Sequence, residues 1–282
     1  MSRYVADIVA LALREDVGPG DLTSRCIIPV EQAGRARLRT REAMVLSGLP
    51  AAVETLRQVD RRIIFTHLAA EGDRLGPGIE VARLEGPAVS ILAAERVALN
   101  FLMRLSGVAT LTARYVEAAG GLSAAVVDTR KTTPGLRFLE KAAVRHGGGR
   151  NHRFTLYDGI LIKDNHIAAA GSIALAVGRA RAAAPHTLKI EVEVDTLAQL
   201  GQALAAGADL VLLDNMSPDL LREAVALTEA FYAPTPRRTG LEASGGITLE
   251  TIGAVARTGV DLISVGALTR SAPWVDMGLD WD

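Results

Sequence analysis

From about Ala124 onward the chain repeats one unit: a short β-branched run, a polar or glycine-rich exit, then an Ala/Leu-rich amphipathic stretch. The strand candidates are AAVVD, GILIKD, LKIEVEVD, DLVLLDN, LEASGG and DLISVG. Between them FLEKAAVRHG, SIALAVGRARAAA, TLAQLGQALAAG, SPDLLREAVALTEAF and TLETIGAVARTG carry helical spacing. Such alternation admits few folds, because parallel strands need right-handed helical crossovers that pack back on the same sheet. About six units suit a barrel or near-barrel, with a doubly wound sheet as the alternative. Ser217-Pro218 supplies a helix cap followed by proline in the first turn, and Gly207 and Gly259 suit left-handed helix ends.

Residues 1–108 lack this rhythm. An opening amphipathic helix, MSRYVADIVALALRED, precedes GRARLRTREAMVLSG, RRIIFTHLAAEGD and GIEVARLEG, which read as strands with a helix, PAAVETLRQV, among them. A long periodic stretch, AVSILAAERVALNFLMRLSGVATLTARYVEAA, then leads to the second region, with a break or bend expected at Ser106-Gly107. Two domains follow: 1–108, joined by 270–282, and 109–269. APTPRRTG (233–240) reads as a loop.

Net charge is −1, so the basic excess usual in a nucleic-acid binder is missing, and any anion site must be a local concentration of charge. Hydrophobic residues at 49% and charged residues at 22% suit a buried core. The single cysteine, Cys26, fits a reducing compartment. No stretch nears the roughly 20 apolar residues of a membrane span. The opening helix lacks the pattern of a secretory leader, so a cytoplasmic location with no membrane and no nucleic-acid partner is expected.

Chemistry in such folds sits at the carboxyl ends of the strands. Here those ends carry Asp128-Thr129-Arg130-Lys131, Lys163-Asp164-Asn165-His166, Glu193 and Asp195, Asp214-Asn215, Ser244-Gly245-Gly246, and Gly266-Ala267. Polar residues at one exit mean little; at every exit of a series they suggest a shared site. GGGRNHRF (147–154) adds His152 and Arg153 from a glycine-rich loop. Arginine grips carboxylate or phosphate with two prongs and lysine acts as a point charge, so Arg130, Lys131, Arg153 and Lys163 together suit a ligand with several anionic groups. Arg137, Lys141 and Arg145 read as a solvated helix face. Alternation in LKIEVEVD places Lys189, Glu191 and Glu193 on one face, with Lys189 expected to neutralise Glu191 and Glu193 left for the site. Glu193 and Asp214 offer hard oxygen ligands suited to magnesium. SGG before a helix expected near Thr248, with VGAL closing the next strand, suggests backbone binding of phosphate.

These segments resemble the quinolinate phosphoribosyltransferases. The likeness runs through REDVGPGDLTS (14–24), AERVALNFLMRLSG (94–107), DTRKTTPGLRFLEKAAVRHGGGRNHR (128–153), LIKDNHI (161–167), EVEVDT (191–196), LLDNMSP (212–218), SGGI (244–247) and SVGALT (264–269). The resemblance implies an open parallel α/β barrel with an N-terminal α/β sandwich domain, and a homodimer whose subunits complete each other's sites. It implies ribose 5-phosphate transfer from phosphoribosyl pyrophosphate to quinolinate with decarboxylation, giving nicotinate mononucleotide, pyrophosphate and carbon dioxide, with Mg2+, in NAD synthesis. By the same resemblance Arg96 of the partner copy, Thr129, Arg130, Lys131, His152, Arg153 and Lys163 bind anionic groups. Glu193 and Asp214 face ribose and metal, directly or through water, and Ser244, Gly245, Gly246, Val265, Gly266 and Ala267 hold the 5-phosphate. Lys131, Lys163, Glu193 and Asp214 are the expected catalytic set. Thr155 and Tyr157 are larger than expected of many relatives. A related group associated with molybdate transport lacks the full IKDNH series present here. Two rivals remain: a barrel enzyme using Lys163 or Lys131 as a Schiff-base nucleophile, and an anion-binding paralogue without turnover.

Overall fold

The structure is a computed structural model that describes residues 3–235 and 239–282. The chain divides into two compact units, one of Met1–Ala113, Thr132–Gly148 and Leu268–Asp282, the other of Arg114–Lys131 and Gly149–Ala267. Residues 236–238 of the expected loop 233–240 lie outside the described residues.

In the first unit, α1 (Arg3–Asp16) and α2 (Leu22–Ile27) precede β1 (Ala33–Thr40), β2 (Met44–Val45), α3 (Leu49–Val59), β3 (Ile64–His67), β4 (Arg74–Leu75) and β5 (Glu80–Pro87). A four-stranded antiparallel sheet runs from the C-terminal strand Met277–Trp281 through β1 and β5 to β3. Its apolar face and the inner faces of α3 and the long helix α4 (Ala88–Ala118) share one core, with Leu38, Leu46, Leu56, Leu84, Ile91 and Leu102 at its centre. The break expected at Ser106-Gly107 does not occur: α4 continues without interruption through it. Ser106 is buried and its hydroxyl hydrogen-bonds the backbone of Ser47, accepting from its N–H at 2.9 Å and donating to its carbonyl at 3.0 Å. At Gly107 a Cβ would lie 2.0 Å from the Pro273 carbonyl oxygen, so glycine serves close approach of two backbones.

Helix α5 (Arg137–His146) also clusters with this unit, and it corrects a second expectation. Lys141, read as part of a solvated face, is fully buried, while Arg137 is half-buried and Arg145 is exposed. The periodicity of this segment marks a helix but not how many of its faces are covered.

The second unit holds six parallel strands: β6 (Ala125–Val127), β7 (Ile160–Ile162), β8 (Ile190–Val194), β9 (Leu210–Asp214), β10 (Gly240–Ser244) and β11 (Leu262–Ser264). Their order in the sheet is β6-β11-β10-β9-β8-β7. Strands β7 to β11 thus lie side by side in chain order, with none of the reversal that defines a doubly wound sheet. The first strand closes against the last, which is barrel order, and the sheet stays open between β6 and β7. A single parallel bridge, Val127 to Arg150, ties β6 to the loop that leads into β7. This is the open parallel α/β barrel that the sequence resemblance implied, and the chain also carries an N-terminal sheet unit.

Polar strand exits double as helix starts. Ser172 caps α7 (Ile173–Ala183) after the short α6 (Asp164–Ala170), Thr196 forms a capping box with Gln199 on α8 (Leu197–Ala205), and Ser217 caps α9 (Pro218–Tyr232). Such caps satisfy amide groups that a helix cannot satisfy itself, at about 1 kcal/mol each. The next helix, α10 (Ile252–Ala256), begins later than the expected start near Thr248, because 248–251 form a turn in which the Thr251 hydroxyl accepts from the Thr248 N–H. Among the described residues no helix is long and apolar enough to cross a membrane.

Candidate active site

Register explains how distant segments reach one place. Ser244 on β10 lies beside Asp214 on β9, Val127 on β6 beside Ser264 on β11, and Ile162 on β7 beside Val192 on β8. The carboxyl ends of all six strands therefore form one rim. A cavity of about 270 Å³ opens there, lined by Thr129, Arg130, Lys131, His152, Arg153, Leu161, Lys163, Glu193, Leu212, Asp214, Glu242, Ser244 and Ser264.

The loop after β6 is held from beneath. Asp128 is fully buried and its carboxylate accepts from the Asn151 side chain at 2.6 Å and the His152 N–H at 3.0 Å. This buried anion locks the 128–131 exit to the 147–154 loop, which places Arg130, Lys131, His152 and Arg153 together. The Lys131 N–H donates to the Thr129 hydroxyl at 3.0 Å. Lys131 also runs along Gly266, where a Cβ would stand 3.2 Å from its Cδ.

Arg153 is only partly satisfied within the protein. One guanidinium NH donates to the Gly159 carbonyl at 2.9 Å, but its buried Nε has no hydrogen-bond partner. Burial, and then the neighbouring charge of Arg130, push Arg153 below its ordinary value. Two arginines pressed together in a half-buried site favour an anion between them. Lys163 is ion-paired with Glu193, and Asp214 accepts from the Asn215 side chain at 2.6 Å. Glu193 and Asp214 thus bring hard oxygen donors to the cavity wall.

The third strand departs from expectation. Glu191 is buried, but its partner is His152, whose Nε2 lies 2.9 Å from the carboxylate, and not Lys189, which is exposed. Alternation placed Lys189 and Glu191 on one face; the glycine-rich loop brings in a closer donor that spacing along one strand does not reveal. Glu242, two residues before Ser244 in LEASGG, joins them at 3.9 Å from the same nitrogen. Burial, and then the charge of Glu191, push Glu242 up to about 8. Ligand atoms of His152, Glu191 and Glu242 lie within 4.8 Å of one another.

The expected phosphate-binding residues fall into two groups. Ser244 lines the cavity. Gly245, at φ +94°, abuts Asn215: a Cβ there would lie 2.1 Å from the Asn215 Oδ1, so only glycine allows the two loops to interlock. Gly246 also has positive φ, with open space where a Cβ would be. Val265 is buried and its N–H is spent on the Val127 carbonyl at 2.9 Å, and Ala267 begins a short helix, Ala267–Arg270. Gly245, Gly246, Val265, Gly266 and Ala267 stand outside the lining, and α10 is too short and starts too late to present its end as expected. Arg96 is exposed on α4 in the first unit. Thr155 and Tyr157 do not line the cavity, and Tyr157 points into solvent. Residues missed from the sequence are Leu161, Leu212, Glu242 and Ser264. Inward alternation along LEASGG and DLISVG is the signal that finds the last two.

Comparison with known proteins covers nearly the whole chain. Residues 21–106 match the family described as quinolinate phosphoribosyl transferase, N-terminal domain, and residues 108–280 match its C-terminal domain. A probable nicotinate-nucleotide pyrophosphorylase (carboxylating) of Bacillus subtilis is 47% identical over 266 residues, spanning 94% of this chain and 89% of its own. The human nicotinate-nucleotide pyrophosphorylase (carboxylating) is 40% identical over 277 residues, spanning 98% of this chain and 91% of its own. Among solved structures, the nicotinate-nucleotide pyrophosphorylase of Francisella tularensis superposes with a TM-score of 0.93 at 40% identity, covering 99% of this chain and 96% of that one.

Proposed function

The chain belongs to the quinolinate phosphoribosyltransferase family, and from that premise we propose that the rim cavity is where the family's reaction runs. That reaction moves ribose 5-phosphate from phosphoribosyl pyrophosphate to the nitrogen of quinolinate, releases carbon dioxide and pyrophosphate, and leaves nicotinate mononucleotide for NAD synthesis. The observation that carries the assignment of place is the convergence of Arg130, Lys131, Arg153 and Lys163 on one cavity.

Quinolinate has two carboxylates, and its co-substrate has a phosphate and a pyrophosphate. In a neutral pocket of low dielectric their repulsion would keep them apart. Arg130 and Arg153 receive the quinolinate carboxylates, whose arrival relieves the arginines' own repulsion. Lys131 and Lys163 hold the remaining anionic groups, and the fixed arrangement aims the pyridine nitrogen at the anomeric carbon. As pyrophosphate departs, positive charge grows on the ribose, and the carboxylates of Glu193 and Asp214 stabilise it. Bond formation makes the ring cationic. The electron pair left when the adjacent carboxylate departs as carbon dioxide stays on that ring carbon, stabilised by the neighbouring cationic nitrogen, and takes a proton from solvent, so no separate decarboxylation cofactor is needed. Ser244, with the Gly245-Gly246 turn and the Gly266 backbone, receives the 5-phosphate.

Mg2+ suits this site, since Asp214 and Glu193, the latter released from Lys163, would offer hard oxygen donors, with water and substrate phosphate completing the shell. When bound it neutralises the departing pyrophosphate. We further assign a homodimer in which Arg96 of one copy reaches the site of the other, supported by the exposure of Arg96 on α4 and by the family resemblance of its segment. A cytoplasmic location is supported by the single, exposed cysteine.

The test is to mix purified protein with quinolinate, phosphoribosyl pyrophosphate and magnesium and to measure both products. Equal release of pyrophosphate and carbon dioxide is expected. Binding of both substrates without products would reassign the chain to an anion-binding role.

A further inference from the structure

The segment Thr132-Thr133-Pro134-Gly135 follows Lys131 directly, and no step of the reaction uses it. Its backbone is a closed turn: the Leu136 N–H donates to the Thr133 carbonyl at 3.0 Å, with Pro134 second and Gly135 third at φ +79°. That is the residue pattern of a type II turn, in which proline presets one angle and glycine supplies the positive φ. The Tyr4 hydroxyl donates to the Gly135 carbonyl, and Arg137 Nε donates to the Thr132 hydroxyl at 3.0 Å. The firmest hold is on Thr133. The fully buried Glu140 turns both carboxylate oxygens to it: Oε2 accepts from the Thr133 N–H at 3.0 Å and Oε1 from its hydroxyl at 2.7 Å. Arg104 pairs with the same Oε1 at 2.7 Å and donates to the carbonyls of Ala272, at 2.9 Å, and Thr269. A turn that only joined a strand to a helix would need its own closing hydrogen bond and little else. A buried ion pair directed at an exposed threonine is more than that demands, since burying a carboxylate is costly.

We propose, on the basis of the functional reading above, that Thr133 is a positioning residue: gripped by Glu140, it fixes the backbone beside Lys131 so that this lysine is held ready before its anion arrives. Thr133 follows Lys131 by two residues, at most about 7 Å of chain, so little slack separates the grip from the lysine. Two residues to the other side, the Thr129 hydroxyl accepts from the Lys131 N–H at 3.0 Å. Lys131 is thus fixed from both directions along the chain. Its stem lies against Gly266, and Arg104 binds the carbonyl of Thr269, three residues beyond that glycine. The Arg104–Glu140 pair therefore steadies both the chain after Lys131 and the chain after Gly266. Lysine carries a point charge on a flexible stem, without the planar fork of arginine, so its aim depends more on the backbone that bears it. A backbone set in advance removes ordering that would otherwise fall on the substrate.

Thr133→Val keeps the shape and the N–H and removes the hydroxyl; Arg104 remains on Oε1 of Glu140, so the fold should hold. Turnover should fall about 10–100-fold, the upper end being the cost of a misplacement of about 1 Å. Thr133→Ser, which restores the hydroxyl, should recover most of that loss. In a Lys131→Ala background Thr133→Val should cost less than about twofold more, because the hydroxyl acts through the lysine. A general loosening of the fold would instead multiply the two losses. Hydrogen exchange in the ligand-free protein gives a readout that needs no turnover. The N–H groups of Lys131 and Thr133 should exchange at least about tenfold faster in Thr133→Val than in the parent. Near-parental turnover in Thr133→Val, fully multiplied losses in the double variant, or unchanged exchange would each overturn the proposal. Faster exchange in Thr133→Val, together with a parent that makes no product from the two substrates, would overturn the functional reading and the role of Thr133 with it, while leaving the grip on the turn in place.

Discussion

Two half-buried arginines, one in each unit, show opposite solutions to the same problem. Arg104 on α4, 12% exposed, meets fully buried Glu140 through Nε at 3.1 Å and an NH at 2.7 Å, and donates to the carbonyls of Ala272, at 2.9 Å, and Thr269. Glu140 also accepts from the Thr133 N–H and hydroxyl at 3.0 and 2.7 Å. Every charge there has its counter-charge within the protein. Arg153 has a carbonyl, a like-charged neighbour in Arg130, a weaker attraction from Glu191 and Asp158, and a buried Nε without a partner. Arg104 is neutralised when the chain folds, whereas Arg153 sits beside a like charge in a cavity open to an anion. The difference separates roles that residue type alone cannot.

The contrast can be broken first at Arg104. Arg104→Ala leaves Glu140 buried without its cation, so unfolding stability should drop by about 3–5 kcal/mol in a denaturant titration. A loss below about 1 kcal/mol would show that Glu140 needs no such partner. At the rim the expected damage falls on rate instead. Lys131→Ala and Lys163→Ala should each lose about 10²–10³-fold in turnover while melting near the parent temperature. Near-normal turnover in both would remove them from the catalytic set. Mixing Arg96→Ala with Lys131→Ala subunits should restore part of the activity as hybrid dimers regain one intact site. Absence of recovery despite proven subunit exchange would count against sharing.

A further effect concerns pH. Glu242 has its folded value raised to about 8, so its protonated form favours the folded state. Its contribution is complete below the ordinary carboxylate range and is lost as pH rises through about 8. Compared with Glu242→Gln, the parent should lose stability across that window by at most about 1.4 kcal/mol per pH unit, then level off. Parallel stability curves for the two proteins would show that Glu242 is not held protonated.

Much of this was open to reading along the chain. The recurring strand–helix unit implied parallel strands in sequence order, and the polar exits at Arg130, Lys163, Glu193, Asp214 and Ser244 all reached the same rim. What stayed hidden depended on neighbours distant in sequence. Glu242 looked like one polar residue in an apolar strand until register set it across from Leu212 and near His152. Lys189 was the nearest cation to Glu191 in sequence, but a loop supplied a closer donor. Lys141 sat on a helix whose spacing did not reveal burial, and Gly107 looked like a breaker because its contact, Pro273, comes from the far end of the chain.

The measurement closest to the central claim is calorimetric titration of quinolinate and of nicotinate, which lacks one carboxylate, into the parent and Arg153→Ala proteins. If the crowding of Arg153 by Arg130 favours a dianionic ring, quinolinate should bind at least about tenfold tighter than nicotinate, about 1.4 kcal/mol, and Arg153→Ala should close the gap. Equal affinities in the parent, or a gap untouched by Arg153→Ala, would contradict the account.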